Sequence, residues 1–303
     1  MLNSKYIYGH NWNIGFCETT PEKLISQKSL SKIEWLKHPF KDRFFADPFV
    51  ISADETTIYV LAEELLFSEK KGRIVRLAVD KKRKYLIERE ITIELDSHLS
   101  YPAFYRENGK IYIFPENSAS GALKGYEYDE SNNSISTVGI MINEPLADAT
   151  LLKYNGLYWI FAAKLPKPND ELYLYYSDKI LGNYTAFSDG KPVIVDNSCS
   201  RPAGNVFEVK KNLYRPAQNC TQHYGGGVVI QKILKLDKRE YEEQQILSIK
   251  PHSFRYNLGV HTINFYNGGC IIDGYGYLYP LIGHISNYLI KKKNILFKKT
   301  TTT

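Results

Sequence analysis

The chain has 303 residues, 43% hydrophobic and 24% charged, which is ordinary globular composition. Its 39 Lys and Arg against 33 Asp and Glu leave a formal charge of +6 spread along the chain, where a nucleic-acid-binding surface would gather it. The four cysteines, Cys17, Cys199, Cys220 and Cys270, contain no CxxC pair, so neither a zinc site nor a dense disulfide framework is indicated and reduced thiols are expected.

At the N-terminus, MLNSKYIYGHNWNIGF shows neither the apolar run nor the cleavage site of a signal peptide, so a cytoplasmic protein is expected. No segment approaches the roughly 18 apolar residues of a membrane span. The leading segment KYIYGHNWNIGF alternates like a strand. Thr20, Pro21 and Glu22 then read as an N-cap, a first-turn proline and an acidic first turn, opening one short helix through about Lys28. Beyond it, nearly everything runs in short β-branched and aromatic bursts divided by Gly, Asn, Asp and Pro, as in TTIYVLAEE and LYLYYSD. An all-β chain is predicted.

The bursts repeat. A Tyr-centred strand recurs as IYVLAEE with Tyr59, IYIFPEN with Tyr112, LYWIFAA with Tyr158 and LYRPAQN with Tyr214. Ahead of each lies another short strand: FFADPFV with Asp47, LSYPAFY with Tyr101, LADATLL with Asp148 and SRPAGNV with Arg201. A looser fifth copy, GVHTINFYNGGCIID, carries His261 in the corresponding place. The first-strand positions are separated by 54, 47, 53 and 60 residues, a spacing that predicts a five-bladed β-propeller. It is expected to form one domain over residues 1–290, with the N-terminal strand completing the last blade, followed by a basic tail over 291–303.

Superposing the copies lines the channel with Asp47, Tyr101, Asp148, Arg201 and His261, and a second tier of Glu63, Glu116, Ala162 and Gln218. An unpaired buried charge costs several kcal/mol, so a purely structural repeat would place small or apolar residues here. Asp47, Glu116 and Asp148 are the expected catalytic carboxylates, because paired carboxylates supply the acid and base of glycosidic-bond chemistry. Glu63, Tyr101, Arg201, Arg215, Gln218, His223 and His261 are the expected substrate-binding residues, with the arginines and His223 the candidates for an anionic group. Trp159 is a further candidate for stacking on sugars. Of the adjacent Glu63 and Glu64, alternation turns one to the channel and leaves the other solvated. The glycines 225–227 read as a turn, since neither GxGxxG nor a P-loop is present.

On FADPF, HLSYPAF, IYIFPEN, DATLL, SRPAGN and LYRPAQNCTQHYG, in order over roughly residues 40–245, the sequence resembles the N-terminal domain family of plant glucosamine inositolphosphorylceramide transferase and its bacterial relatives. That family in turn resembles the propellers of arabinanases, levansucrases and invertases. The resemblance implies a five-bladed propeller and a role in glycan metabolism. In arabinanase-like enzymes the base Asp lies in the first blade, which Asp47 matches, but Tyr101 stands where blade two would carry the pKa-modulating Asp. The carry-over therefore stops at Asp47. In the plant protein the transferase chemistry is attributed to a separate domain, which these 303 residues are not expected to include.

The leading functional expectation is a cytoplasmic glycosyl-transferring enzyme of surface polysaccharide or glycolipid synthesis, acting on a sugar or nucleotide sugar and a glycan or lipid-linked acceptor. The alternatives are an intracellular glycoside hydrolase and a non-catalytic glycan-binding propeller. No metal or other cofactor and no nucleic-acid partner is expected. YLYPLIGHISNYLI followed by Lys291, Lys292, Lys293, Lys298 and Lys299 reads as a closing element with a solvated tail, or as a peripheral contact with the inner membrane surface.

Overall fold

Short β-branched and aromatic runs separated by tight turns favour antiparallel pairing of neighbours in sequence. In the computed structural model, which describes residues 10–251 and 253–285, they form five antiparallel sheets set as the blades of a propeller. Blade 1 comprises Arg43–Ala53, Thr57–Leu66, Gly72–Asp80 and Leu86–Ile93. Blade 2 comprises Ser100–Glu107, Lys110–Glu116, Leu123–Asp129 and Ser134–Ile142. Blade 3 is built on Leu146–Tyr154, Leu157–Lys164 and Glu171–Ser177, with an outer edge split into Thr185–Ala186 and Ile194–Val195. Blade 4 holds Phe207–Val209, Asn212–Asn219, Gly227–Leu236 and Tyr241–Ile249.

Blade 5 is composite. Ile263–Tyr266 and Gly269–Tyr277 come from the end of the chain, while His10–Cys17 and Glu34–Trp35 come from its beginning. His10–Cys17 pairs along its whole length with Gly269–Tyr277, so the two ends of the chain close the ring. Cys17 stands opposite Cys270 in that ladder, and the two form a disulfide across a sequence separation of 253 residues. This corrects the reduced-thiol expectation for that pair. Spacing along the chain carries no information about a contact made by ring closure, and only Cys199 and Cys220 are free.

The core lies between blades. One cluster packs Ile14, Phe16 and Ile271 of blade 5 on Ile58, Val60, Val75 and Leu77 of blade 1, and another packs Leu61 and Ile74 of blade 1 on Ile111, Ile113 and Tyr126 of blade 2. Because the middle strands are covered on both faces, they read as near-continuous apolar runs; each buried Leu or Ile contributes about 1.5–3 kcal/mol. Trp159 belongs to the layer between blades 3 and 4, packed on Tyr176 and Phe187 and 1% exposed. It is a core residue and offers no face to a sugar.

The helix is Pro21–Gln27, with Thr20 Oγ1 accepting the Lys23 amide at 3.3 Å and Lys28 ending it in a left-handed conformation. No helix among the described residues is long and apolar enough to cross a membrane. The basic tail 291–303 and residues 1–9 of the closing segment lie outside the described residues.

Candidate active site

The inner strands of blades 1, 2 and 3 share one irregularity. Their pairing with the second strand slips between Ala46 and Phe49, between Ser100 and Ala103, and between Ala147 and Thr150. Inside each slip sits a non-glycine residue with positive φ: Asp47 at 49°, Tyr101 at 45° and Asp148 at 51°. A left-handed conformation costs an L-residue roughly 1–2 kcal/mol, and a bulge re-aims its side chain. These are the repeated positions picked out in the sequence, and the bulge is what turns them into the channel.

The strain is offset by a ring of hydrogen bonds from blade to blade. Asp273 of blade 5 accepts the Asp47 amide at 3.2 Å, and Asp47 Oδ2 accepts the Tyr101 amide at 3.2 Å. Tyr101 Oη pairs with Thr150 Oγ1 of blade 3 at 2.8 Å and accepts the Gly204 amide, ahead of blade 4, at 2.6 Å. Asp148 of blade 3 accepts from Arg201 Nε at 2.6 Å and Gln218 Nε2 at 2.9 Å. Ile263 N donates to Ala203 O at 2.8 Å, and Thr262 Oγ1 donates to Asp47 Oδ1 at 2.7 Å, which completes the circle.

Five buried carboxylates therefore converge: Asp47, Glu63, Glu116, Asp148 and Asp273. Burial, opposed by His261 and reinforced by Asp148 and Asp273, pushes Asp47 up to about 6. Burial and the neighbouring Asp47, Glu116, Asp148 and Asp273 drive Glu63 well above the usual carboxylate range. Asp148 is raised by burial against the pull of Arg201. Glu116 accepts from Ser100 Oγ at 2.7 Å and from the Ser118 amide at 3.1 Å.

Asp273 holds the histidine. Its Oδ1 accepts the His261 and Thr262 amides at 2.9 and 3.1 Å, and its Oδ2 lies 2.5 Å from His261 Nδ1. His261 Nε2 faces Asp47 Oδ1 at 3.6 Å. Burial alone would lower this histidine, but Asp273, Asp47 and Asp148 together raise it, favouring the imidazolium. Asp47, His261 and Asp273 bring three ligand atoms within 4.8 Å of one another and could hold a cation. An imidazolium there meets the same electrostatic need, since the free lone pairs already face Thr262, Tyr101 and backbone amides.

Antiparallel topology puts Asp47 and Asp148 near the start of inner strands, and Glu63, Glu116 and Gln218 near the end of second strands, so all lie toward one end of the channel. At that end the 220–226 turn brings exposed His223 and Tyr224 over the mouth. Tyr224 lies under the Arg201 guanidinium at 4.8 Å and meets His261 edge-on at 5.3 Å. The indole of Trp12 stacks on the His261 ring at 3.9 Å. Gly225, with φ +65°, is required here, because a Cβ would stand 2.9 Å from the Trp12 ring. His98 borders Glu63: its Nδ1 accepts the Gly72 amide at 2.9 Å, which leaves the proton on Nε2, 3.4 Å from Glu63 Oε1.

The channel thus collects Asp47, Glu63, Tyr101, Glu116, Asp148, Arg201, Gln218 and His261, with His223 at its mouth. Arg215 is elsewhere. It is 1% exposed and engaged by Glu243 at 2.8 Å and by the carbonyls of Cys199 and Ser200, so it is out of reach of a substrate anion. Glu64 is not solvated as expected. It is fully buried among Arg43, Arg73 and Arg89, whose hydrogen bonds lower it against the opposing effect of burial. Tyr101 is also fully buried with its hydroxyl satisfied, so it forms the channel floor.

Sequence reasoning missed Asp273, His98, Trp12 and Tyr224. Asp273 belongs to the second-strand tier, but the fifth copy lacks the tyrosine that set the register of the other four.

The family model described as the N-terminal part of glucosamine inositolphosphorylceramide transferase 1 matches residues 27–259. Among curated proteins, glucosamine inositolphosphorylceramide transferase 1 of Oryza sativa subsp. japonica is 31% identical over 212 residues, and that of Arabidopsis thaliana is 30% identical over 213. These alignments cover 67% of this chain and only 28% and 27% of the relatives. The catalytic domain of the Coprinopsis cinerea GH62 alpha-L-arabinofuranosidase superposes with a TM-score of 0.55 at 11% identity, covering 74% of this chain and 78% of that one, a likeness of fold. The chain belongs to the family of the N-terminal domain of glucosamine inositolphosphorylceramide transferase 1.

Proposed function

We propose that this propeller is a carbohydrate-active protein of glycan or glycolipid assembly, binding a sugar residue at the channel mouth and transferring it by acid/base chemistry. The observation that carries the reading is the convergence of Asp47, Glu63, Glu116 and Asp148 on one channel, with burial pushing Asp47 up to about 6 and Glu63 well above the usual carboxylate range. Glu63, whose protonated form burial and the neighbouring carboxylates favour, is the proton donor to a departing glycosidic oxygen. Asp47, ionised above about pH 6, is the acceptor of the incoming hydroxyl proton. Tyr224 supplies an exposed ring for a sugar face. The names of the plant relatives agree with a glycolipid context.

The donor in this reading is a glycan or glycolipid. Arg215 is sequestered by Glu243 and Arg201 by Asp148, so a nucleotide-sugar pyrophosphate would meet carboxylates without free arginines. One observation favours a second reading, glycan binding without turnover: Asp47 and Asp148 already accept several protein hydrogen bonds each.

Saturation-transfer NMR against neutral oligosaccharides, aryl glycosides and nucleotide sugars, with product analysis in the same tube, tests these readings. Glu63→Gln is the informative variant, because Glu63 lies outside the ring of hydrogen bonds. Neutral-glycan binding with a product lost about 100-fold or more in Glu63→Gln is expected. Binding without product selects the second reading, and preferential binding of nucleotide sugars overturns both.

A further inference from the structure

We infer that the rim of blade 5, beside the channel mouth, is a docking face for an anionic membrane surface. It carries large apolar side chains turned to solvent: Phe254 is 66% exposed, Leu281 69%, Ile285 61%, Tyr279 54% and Ile282 48%. Single exposed apolar residues are unremarkable, but a contiguous group of them marks an interaction site. These belong together. His284 Nε2 lies 3.0 Å from the Phe254 carbonyl oxygen, its ring sits 5.1 Å from the Phe254 ring and 5.4 Å from Tyr277, and the backbone over 280–285 is helical.

Cations flank the patch. A groove of about 730 Å³ runs from it between blades 5 and 1, lined among others by Asn11, Lys37, His38, Lys41 and Arg255. Among the described residues, neither Lys41 nor Arg255 has a carboxylate within ion-pair distance. Burial and the nearby Lys41, Arg255 and Arg43 hold His38 down at about 4. Among the described residues, His38 Nδ1 and Asn11 Oδ1 are buried without a hydrogen-bond partner. Unpaired cations with unsatisfied polar atoms beside them suit a phosphate-bearing headgroup with hydroxyl donors. The sequence that follows adds Lys291, Lys292, Lys293, Lys298 and Lys299, and basic residues beside an apolar patch are what an anionic leaflet attracts.

Topology gives the face its orientation. Gly269–Tyr277 is a second strand, and second strands end where Glu63 and Glu116 lie. Residues 278–285 follow it, and 253–260 and 38–42 lead into inner strands at that same end, while Lys37, bonded to Lys84 and Leu86 at the far turn of blade 1, marks the other end of the groove. Docking there would turn the channel mouth toward lipid. This holds whether or not the channel is catalytic.

The test is cosedimentation of the full chain with vesicles of phosphatidylcholine alone and of phosphatidylcholine mixed with phosphatidylglycerol. We expect at least about tenfold stronger partitioning to the anionic vesicles, weakened by salt. It should fall about tenfold in Phe254→Asp/Leu281→Asp and in Lys41→Glu/Arg255→Glu. Lys210→Glu/Lys211→Glu, at the turn on the opposite end of blade 4, should leave it unchanged. Unchanged thermal melts would show that the variants fold. Equal binding to both vesicle types, equal loss in the blade 4 control, or inorganic phosphate bound in the groove with no vesicle binding would overturn the inference. So would self-association through this face in sedimentation velocity without vesicle binding.

Discussion

The hydroxyl of Tyr101 accepts the Gly204 amide hydrogen at 2.6 Å, so a residue of blade 2 holds the segment leading into blade 4 across the channel. The same hydroxyl also pairs with Thr150 Oγ1 at 2.8 Å, and the Thr150 hydroxyl lies 3.4 Å from the Asp148 carbonyl oxygen. The floor of the channel is thus one chain of hydrogen bonds through blades 2, 3 and 4. The polar residues that line the channel are, for the most part, the same residues that close the propeller.

Tyr101→Phe keeps the ring against Phe49 and removes only the hydroxyl. The buried Gly204 amide is left unsatisfied, which costs about 1–3 kcal/mol. Equilibrium denaturation should show that loss, while glycan binding at the mouth is retained. A variant as stable as wild type would mean that the hydroxyl does not bridge the blades.

Asp273→Asn should be more severe. It removes the charge beside the His261 imidazolium and weakens an acceptor of three backbone amides. Breaking a buried charge pair costs about 3–5 kcal/mol. A large drop in denaturation midpoint, or loss of soluble protein, is expected, with Asp273→Glu no substitute because the site is fully buried.

The pH dependence of stability has a definite sign. Asp47, raised to about 6, holds its proton more tightly folded than unfolded, so its contribution favours the fold in acid and is lost as pH rises from about 4 through 6. His261, also raised, contributes stability below its unfolded value that is lost as pH rises through the folded one. The stability difference between wild type and Asp47→Asn should therefore shift by about 2–3 kcal/mol against wild type over that interval. Any turnover should show an acid limb near pH 6. Parallel stability curves for the two proteins would refute the assignment.

Closing the ring through Cys17 and Cys270 ties two strands 253 residues apart in sequence. Restricting the unfolded chain in this way is worth about 2–5 kcal/mol. Denaturant midpoints with and without reductant should differ in wild type and coincide in Cys17→Ser, and intact mass before and after alkylation reports the bond directly.

The fold was legible in the sequence because propeller blades are local. Each strand pairs with its neighbour in the chain, so the Tyr-centred motif around Tyr59, Tyr112, Tyr158 and Tyr214 was enough to find second strands and, ahead of them, inner ones. The positions of Asp47, Tyr101 and Asp148 were legible for the same reason: one bulge recurs at one place in each of the first three repeats.

What the tertiary structure alone decided is which charges are free. Glu63 and Glu64 are neighbours of the same chemistry, yet one faces carboxylates and the other three arginines, because successive strand residues enter opposite layers. Arg201 and Arg215 are equally basic in sequence, and only packing gives one a partner in the channel and the other a partner in the outer strand of its own blade. Cys17 meets Cys270, and Asp273 meets Asp47, through closure of the ring. Local pattern specifies strands and the bulges within them; the partner of a buried charge depends on which distant strand arrives opposite it, and that is settled when the propeller closes.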